Sequence, residues 1–118
     1  ILLILGFLFA PIAWMMGIPW SQGIISGELL GLKTTLNEFV AYPALASLEP
    51  GLLSEKSKLI TFYGLCGFAN FSSVGILVSG LGSMAPERKE DLIEVSFQAL
   101  IGATLASCMT GLIVGCLI

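Results

Sequence analysis

The sequence predicts an all-α membrane protein, and three observations lead there. Of the 118 residues 56% are hydrophobic and only 11% are charged, a balance that water-soluble domains do not have. Two uncharged runs, residues 59–86 and 95–118, are each long enough to cross a hydrocarbon core of about 30 Å at about 1.5 Å per helical residue. Between and within the apolar runs, glycine, proline and polar residues recur at intervals that suit half-length helices better than a series of plain spans.

The same composition narrows function. Five Lys and Arg against eight Asp and Glu give a net charge of -3, so there is no basic patch to hold nucleic acid. With no histidine in the chain, a His-based catalytic triad is ruled out, and nothing has the spacing of a metal site. Cys66, Cys108 and Cys116 lie in apolar segments without a CxxC pair and are read as small hydrophobes. No enzyme, resident cofactor or bound metal is expected. The chain starts at Ile1 inside an apolar run, with no charged start or cleavage region, and is read as a piece of a longer polytopic protein.

Residues 1–20 are uncharged but punctuated by Gly6, Pro11, Gly17 and Pro19, with Trp14 and Trp20 toward the end. Aromatic rings of this kind sit at headgroup level, which suits the tail of a span or a helix lying along the membrane surface. Residues 21–48 read as two apolar arms, 21–31 and 38–48, around a polar tip with Lys33, Thr34, Thr35 and Asn37. Arms of about eleven residues reach about 16 Å, half the core, and so predict a re-entrant hairpin. The alternative is one long helix with a polar face. Asn37 is placed to cap the second arm, Glu38 falls in its first turn and Pro43 shortens it.

Residues 49–58 form a hydrophilic connector in which Ser54 can cap the next helix. Residues 54–85 would make a straight helix of about 48 Å, longer than a span requires. A break near residues 68–73, inside CGFANFSSVG, accounts for the excess length and for the polar Asn70, Ser72 and Ser73 at membrane depth. After the connector MAPERKEDLIE, in which Pro86 stands near the first turn, residues 88–118 predict a spanning helix with a Gly111/Gly115 pair suited to close packing. Lys56 and Lys58 on one side of the broken helix balance Arg88 and Lys89 on the other, so the positive-inside rule gives no orientation.

Glu38 is the sharpest single signal, because an ionisable group at membrane depth costs several kcal/mol (about 3 on the milder scales) and is kept for a purpose. Asn70 offers an amide and Ser73 a hydroxyl where the backbone leaves its helix. A carboxylate, an amide and a hydroxyl together can receive vicinal hydroxyls on a small polar solute, and hairpins meeting broken helices at mid-membrane are a device of secondary transporters. Against this stands a purely structural use, in which Glu38 and Asn70 hydrogen-bond each other to register two helices. Lys33 is open between pairing with a carboxylate and touching the solute.

GLKTTLNEFVAY (31–42), CGFANFSSVG (66–75) and SGLGSMAPER (79–88) resemble the carboxy-terminal core of the concentrative nucleoside transporters over essentially the whole chain. That resemblance implies an interfacial helix at 1–20, a re-entrant hairpin at 21–48, a discontinuous transmembrane helix at 54–85 and a final transmembrane helix at 88–118, as the second half of an inverted-repeat transporter. It implies that Glu38, Asn70 and Ser73 bind the ribose hydroxyls of a nucleoside and that Phe68 lies near the solute. It further implies a homotrimer in the plasma (cell inner) membrane, a sodium or proton gradient as the driving force, and a base and coupling ion held mainly by an amino-terminal repeat outside this chain. Ser79 departs from the glycine common among relatives, outside the proposed site. The competing readings are a membrane scaffold or sensor that transports nothing, and a transporter of the same architecture for another small polar solute.

Overall fold

The computed structural model describes residues 1–67 and 69–118. Six α-helices follow in order: α1 (Leu2–Met15), α2 (Trp20–Thr35), α3 (Glu38–Ala46), α4 (Glu55–Leu65), α5 (Phe71–Met84) and α6 (Lys89–Leu117), the last preceded by one 3-10 turn, Pro86–Arg88. Apolar side chains such as Phe7, Trp14, Phe39, Ile76 and Met109 cover much of the outside, the reverse of a surface built for water.

Residues 1–20 do not stand apart from the segment that follows. The chain bends by 117° between α1 and α2, and Trp14 and Trp20 meet edge to face at that bend with centroids 6.3 Å apart. Every fourth residue along one face of α2 is a glycine, Gly23, Gly27 and Gly31, and this face lies against α1. A Cβ on Gly27 would stand 2.5 Å from the Gly6 carbonyl oxygen, and one on Gly31 would stand 2.7 Å from Leu5 Cβ. At Gly6 and Gly27 the two backbones touch because neither residue has a side chain in the way.

The polar tip expected at Lys33, Thr34, Thr35 and Asn37 is shorter than that. Helix α2 runs through Thr35, since Thr34 Oγ1 donates to the Leu30 carbonyl (2.9 Å) and Thr35 Oγ1 to that of Gly31 (2.8 Å). Hydroxyls that bond four residues back let threonines stay helical. The turn is therefore only Leu36 and Asn37, and the two arms have 16 and 9 residues in place of two equal arms. Asn37 caps α3 as its position suggested, its Oδ1 accepting from the Val40 N–H at 3.1 Å.

Ser54 likewise caps α4. Helix α4 ends at Leu65 and α5 begins at Phe71, before the far end of the break expected at 68–73, because Asn70 caps α5 and so draws Ser72 and Ser73 into its first turn. Gly67 takes φ 128° there, which an L residue with a Cβ rarely adopts, and a Cβ at this position would meet Ser107 Oγ at 2.7 Å. Helix α6 packs on α4 through the Gly111/Gly115 pair: a Cβ on Gly111 would lie 2.8 Å from the Ile60 carbonyl oxygen. Together with its 3-10 turn, α6 is the one continuous helix of the described residues with the length and apolarity of a membrane span. The core gathers Ala13, Met16 and Ile18 from α1 and the bend after it, Leu30 of α2, Ala41 and Leu45 of α3, Ile60 and Leu65 of α4 and Cys108 of α6.

Candidate functional site at the hairpin tip and the helix break

The first turn of α3 and the break before α5 come together in space. Glu38 Oε2 accepts from Asn70 Nδ2 at 2.9 Å, and both side chains are buried, Glu38 to 6% and Asn70 to 1% exposure. The amide is oriented by its other end, where Oδ1 accepts the Ser73 backbone N–H at 2.8 Å. Asn70 is therefore both the cap of α5 and the donor to the carboxylate. One residue type does both because an amide carries an acceptor and donors on the same plane.

Each helix end contributes electrostatically. Glu38 stands in the first turn of α3 and Asn70 at the N-cap of α5, where unpaired N–H groups make the field positive and favour a carboxylate. A second link ties the two elements: Ser72 Oγ donates to the Leu36 carbonyl at the hairpin turn, at 3.2 Å. Further along α3, the Tyr42 hydroxyl lies 2.9 Å from Cys66 Sγ, at the end of α4. The α2–α3 segment and the stretch between α4 and α5 are thus joined at three points.

Of the residues singled out from sequence, Glu38 and Asn70 are brought into direct contact. Ser73 joins them through its backbone, while its half-buried hydroxyl stays on the same turn of α5. Phe68 lies outside the described residues. Sequence reasoning passed over Ser72 as a structural link and placed Lys33 on the polar tip, open between a carboxylate and the solute, whereas Lys33 belongs to α2 and is 1% exposed. The one available signal for Lys33 was its spacing of seven residues from Ser26, which puts it on the same face of α2.

Chemically, the carboxylate spends one acceptor site on Asn70 and keeps Oε1 and further lone pairs for other donors. The geometry can serve hydroxyl groups of a solute or hold two helices in register. The larger surface clefts, about 550 and 610 Å³, are lined around Leu45, Lys58 and Phe62 and include neither Glu38 nor Asn70.

Residues 1–115 match the family described as Na+ dependent nucleoside transporter C-terminus. The nucleoside permease NupC of Helicobacter pylori is 48% identical over 117 residues, covering 96% of this chain and 28% of that protein. Solute carrier family 28 member 3 of Homo sapiens is 41% identical over 129 residues, covering 98% of this chain and 19% of that protein. Among solved structures, CNTnw in an inward-facing substrate-bound state superposes with a TM-score of 0.88 at 42% identity, over 98% of this chain and 28% of that one. An intermediate state of a CNTnw variant gives 0.86 at 43% identity, over 96% and 28%. The chain thus spans between about a fifth and 28% of the length of these relatives. A family match over residues 1–115, with a superposition over 98% of the chain at 42% identity, places this chain in the concentrative nucleoside transporter family, as its C-terminal region.

Proposed function

We propose that this chain forms the ribose-facing half of an ion-coupled nucleoside transporter in a cell membrane. The observation that carries the reading is the Glu38–Asn70 hydrogen bond, which unites two residues 32 positions apart at a hairpin tip and a helix break. On this reading Glu38 accepts from two vicinal hydroxyls of the ribose, and Asn70 and the Ser73 hydroxyl complete the remaining bonds, with Phe68 near the solute. Helices α2 and α3 enter the bilayer and return on the same side, α4 and α5 form one discontinuous span, and α6 crosses outright. The base and the coupling ion, sodium or proton, are held mainly by an amino-terminal repeat, and three copies of the whole protein assemble.

No bond is made or broken. Binding solute and ion together shifts the population between outward- and inward-facing states, so the ion gradient drives the solute. The names of the relatives, nucleoside permease among them, support nucleosides over other polar solutes.

A second reading has its own observation. Because the carboxylate already bonds an amide within this chain, the pair could serve only to register helices in a scaffold that transports nothing. Uptake of labelled uridine by cells making the full-length protein separates the two. Accumulation above the equilibrium level, competed by unlabelled nucleosides, is expected. Absence of any uptake under an imposed sodium or proton gradient supports the scaffold.

A further inference from the structure

Helix α3 is only nine residues long, yet it touches both ends of the broken helix. Glu38, Ala41, Tyr42 and Leu45 follow at helical spacing and form its inward face. Glu38 meets Asn70, the N-cap of α5, at 2.9 Å. One turn on, the Tyr42 hydroxyl meets the thiol of Cys66, the C-cap of α4, also at 2.9 Å. Two contacts on one face of α3 therefore span the interval between α4 and α5. The Tyr42 contact follows from how α4 ends. The Cys66 N–H bonds to the Tyr63 carbonyl at 3.2 Å, so the Phe62 carbonyl loses the partner that a continuing helix would give it. The Cys66 thiol donates to that carbonyl at 3.6 Å, which leaves its sulfur to accept from the Tyr42 hydroxyl. The Tyr42 ring also lies on Phe62, with centroids 5.1 Å apart. Helix α4 is itself fixed on α2, where Ser26 Oγ is 2.8 Å from Thr61 Oγ1 and the Leu30 Cδ2 is 3.5 Å from where a Cβ on Gly64 would stand. The end of α4 is thus a firm stop for α3.

We propose that Tyr42 is a positioning residue of the solute site: by clasping the end of α4 through Cys66, it sets the rotation of α3 about its axis and so the direction in which Glu38 presents its remaining oxygen sites. A single hydrogen bond to Asn70 leaves the first turn of α3 free to pivot about that bond. A second clasp four residues on, on the same face, removes that freedom. Tyr42 makes no claim on the carboxylate itself, since its hydroxyl is engaged at the end of α4.

The inference rests on reading Glu38 as the solute-binding carboxylate, and the test separates the two. In the full-length transporter Tyr42→Phe, Cys66→Ala and Cys66→Ser are made, and Tyr42→Phe also in a Glu38→Gln background. Dissociation constants for uridine and its 2′,3′-dideoxy analogue and the thermal midpoint are measured on the purified proteins. Tyr42→Phe keeps the ring and removes the hydroxyl. It should weaken uridine binding about threefold or more, as coupled neighbours do, and leave the dideoxy analogue nearly unchanged. Cys66→Ala should act in the same direction, the two changes together should cost little more than either alone, and Cys66→Ser, which keeps a donor and an acceptor, should recover most of the loss. Once Glu38 is Gln, Tyr42→Phe should no longer alter the preference between the two ligands. A Tyr42→Phe protein with wild-type preference, an equal loss for both ligands, or additive effects of positions 42 and 66 overturns the proposal. A Glu38→Gln protein that keeps the wild-type preference would sink the ribose reading instead, while non-additive thermal midpoints for Tyr42→Phe and Cys66→Ala would still report the clasp.

Discussion

Asn70 is the residue on which two elements depend at once, since its carbonyl oxygen caps α5 and its amide donates to Glu38. Truncating it leaves a carboxylate buried with one donor fewer, which costs about 1.5–3 kcal/mol for a hydrogen bond to a charged group. We predict that Asn70→Ala lowers both the thermal midpoint and uridine uptake of the full-length protein, and that Asn70→Asp is worse in both, because two carboxylates would then face each other. An Asn70→Asp protein as stable as wild type would show that the two side chains do not meet in the membrane. Ser72→Ala should be mild by comparison, under about 1.5 kcal/mol for one neutral hydrogen bond, and this is measurable in the same thermal assay. Asn70 was legible in the sequence because a polar group stands out in an uncharged run, and Glu38 because it is the one carboxylate at the start of an apolar arm. The depth of Lys33 was not, since a lysine beside two threonines reads as a polar tip until the threonine hydroxyls are seen bonding back into α2.

At the scale of elements, glycines do two different jobs that a sequence does not distinguish. Gly67 breaks a helix with a positive φ and also clears Ser107. Gly6, Gly27 and Gly31 bring α1 and α2 into backbone contact. Sequence reasoning treated Gly6 as punctuation, and so the α1–α2 packing went unforeseen, whereas the Asn37 and Ser54 caps and a break after α4 were anticipated from local chemistry; that Asn70 caps α5 was not. Gly27→Ala should lower stability by about 1–3 kcal/mol, the usual range for overpacking a tight contact, in a thermal or denaturant assay of the purified protein. Gly67→Ala should reduce uptake, and adding Ser107→Ala should recover only part, because removing the hydroxyl relieves the clash but not the backbone strain. Full recovery would mean that the clash alone matters.

For the whole molecule, the outward apolar surface and, among the described residues, the one continuous helix with the length and apolarity of a span fit a chain that sits within a bilayer. The hairpin and the broken helix arrive at one place from opposite parts of the sequence, and the fold does this by running α2 and α4 side by side until both stop. If the proposed coupling holds, collapsing the sodium and proton gradients together should reduce nucleoside accumulation to the equilibrium level without abolishing binding. Accumulation that survives both would remove the gradient from the mechanism.

The most direct test of the central claim compares a ribonucleoside with its 2′,3′-dideoxy analogue for binding to the full-length wild-type protein and to Glu38→Gln. If Glu38 accepts the ribose hydroxyls, wild type should prefer the ribonucleoside by about tenfold or more, on the order of the 1–3 kcal/mol left when a buried acceptor loses its donor. Glu38→Gln should lose most of that preference while its affinity for the dideoxy analogue changes little. An equal loss of affinity for both ligands would contradict the assignment and return Glu38 to a purely structural role.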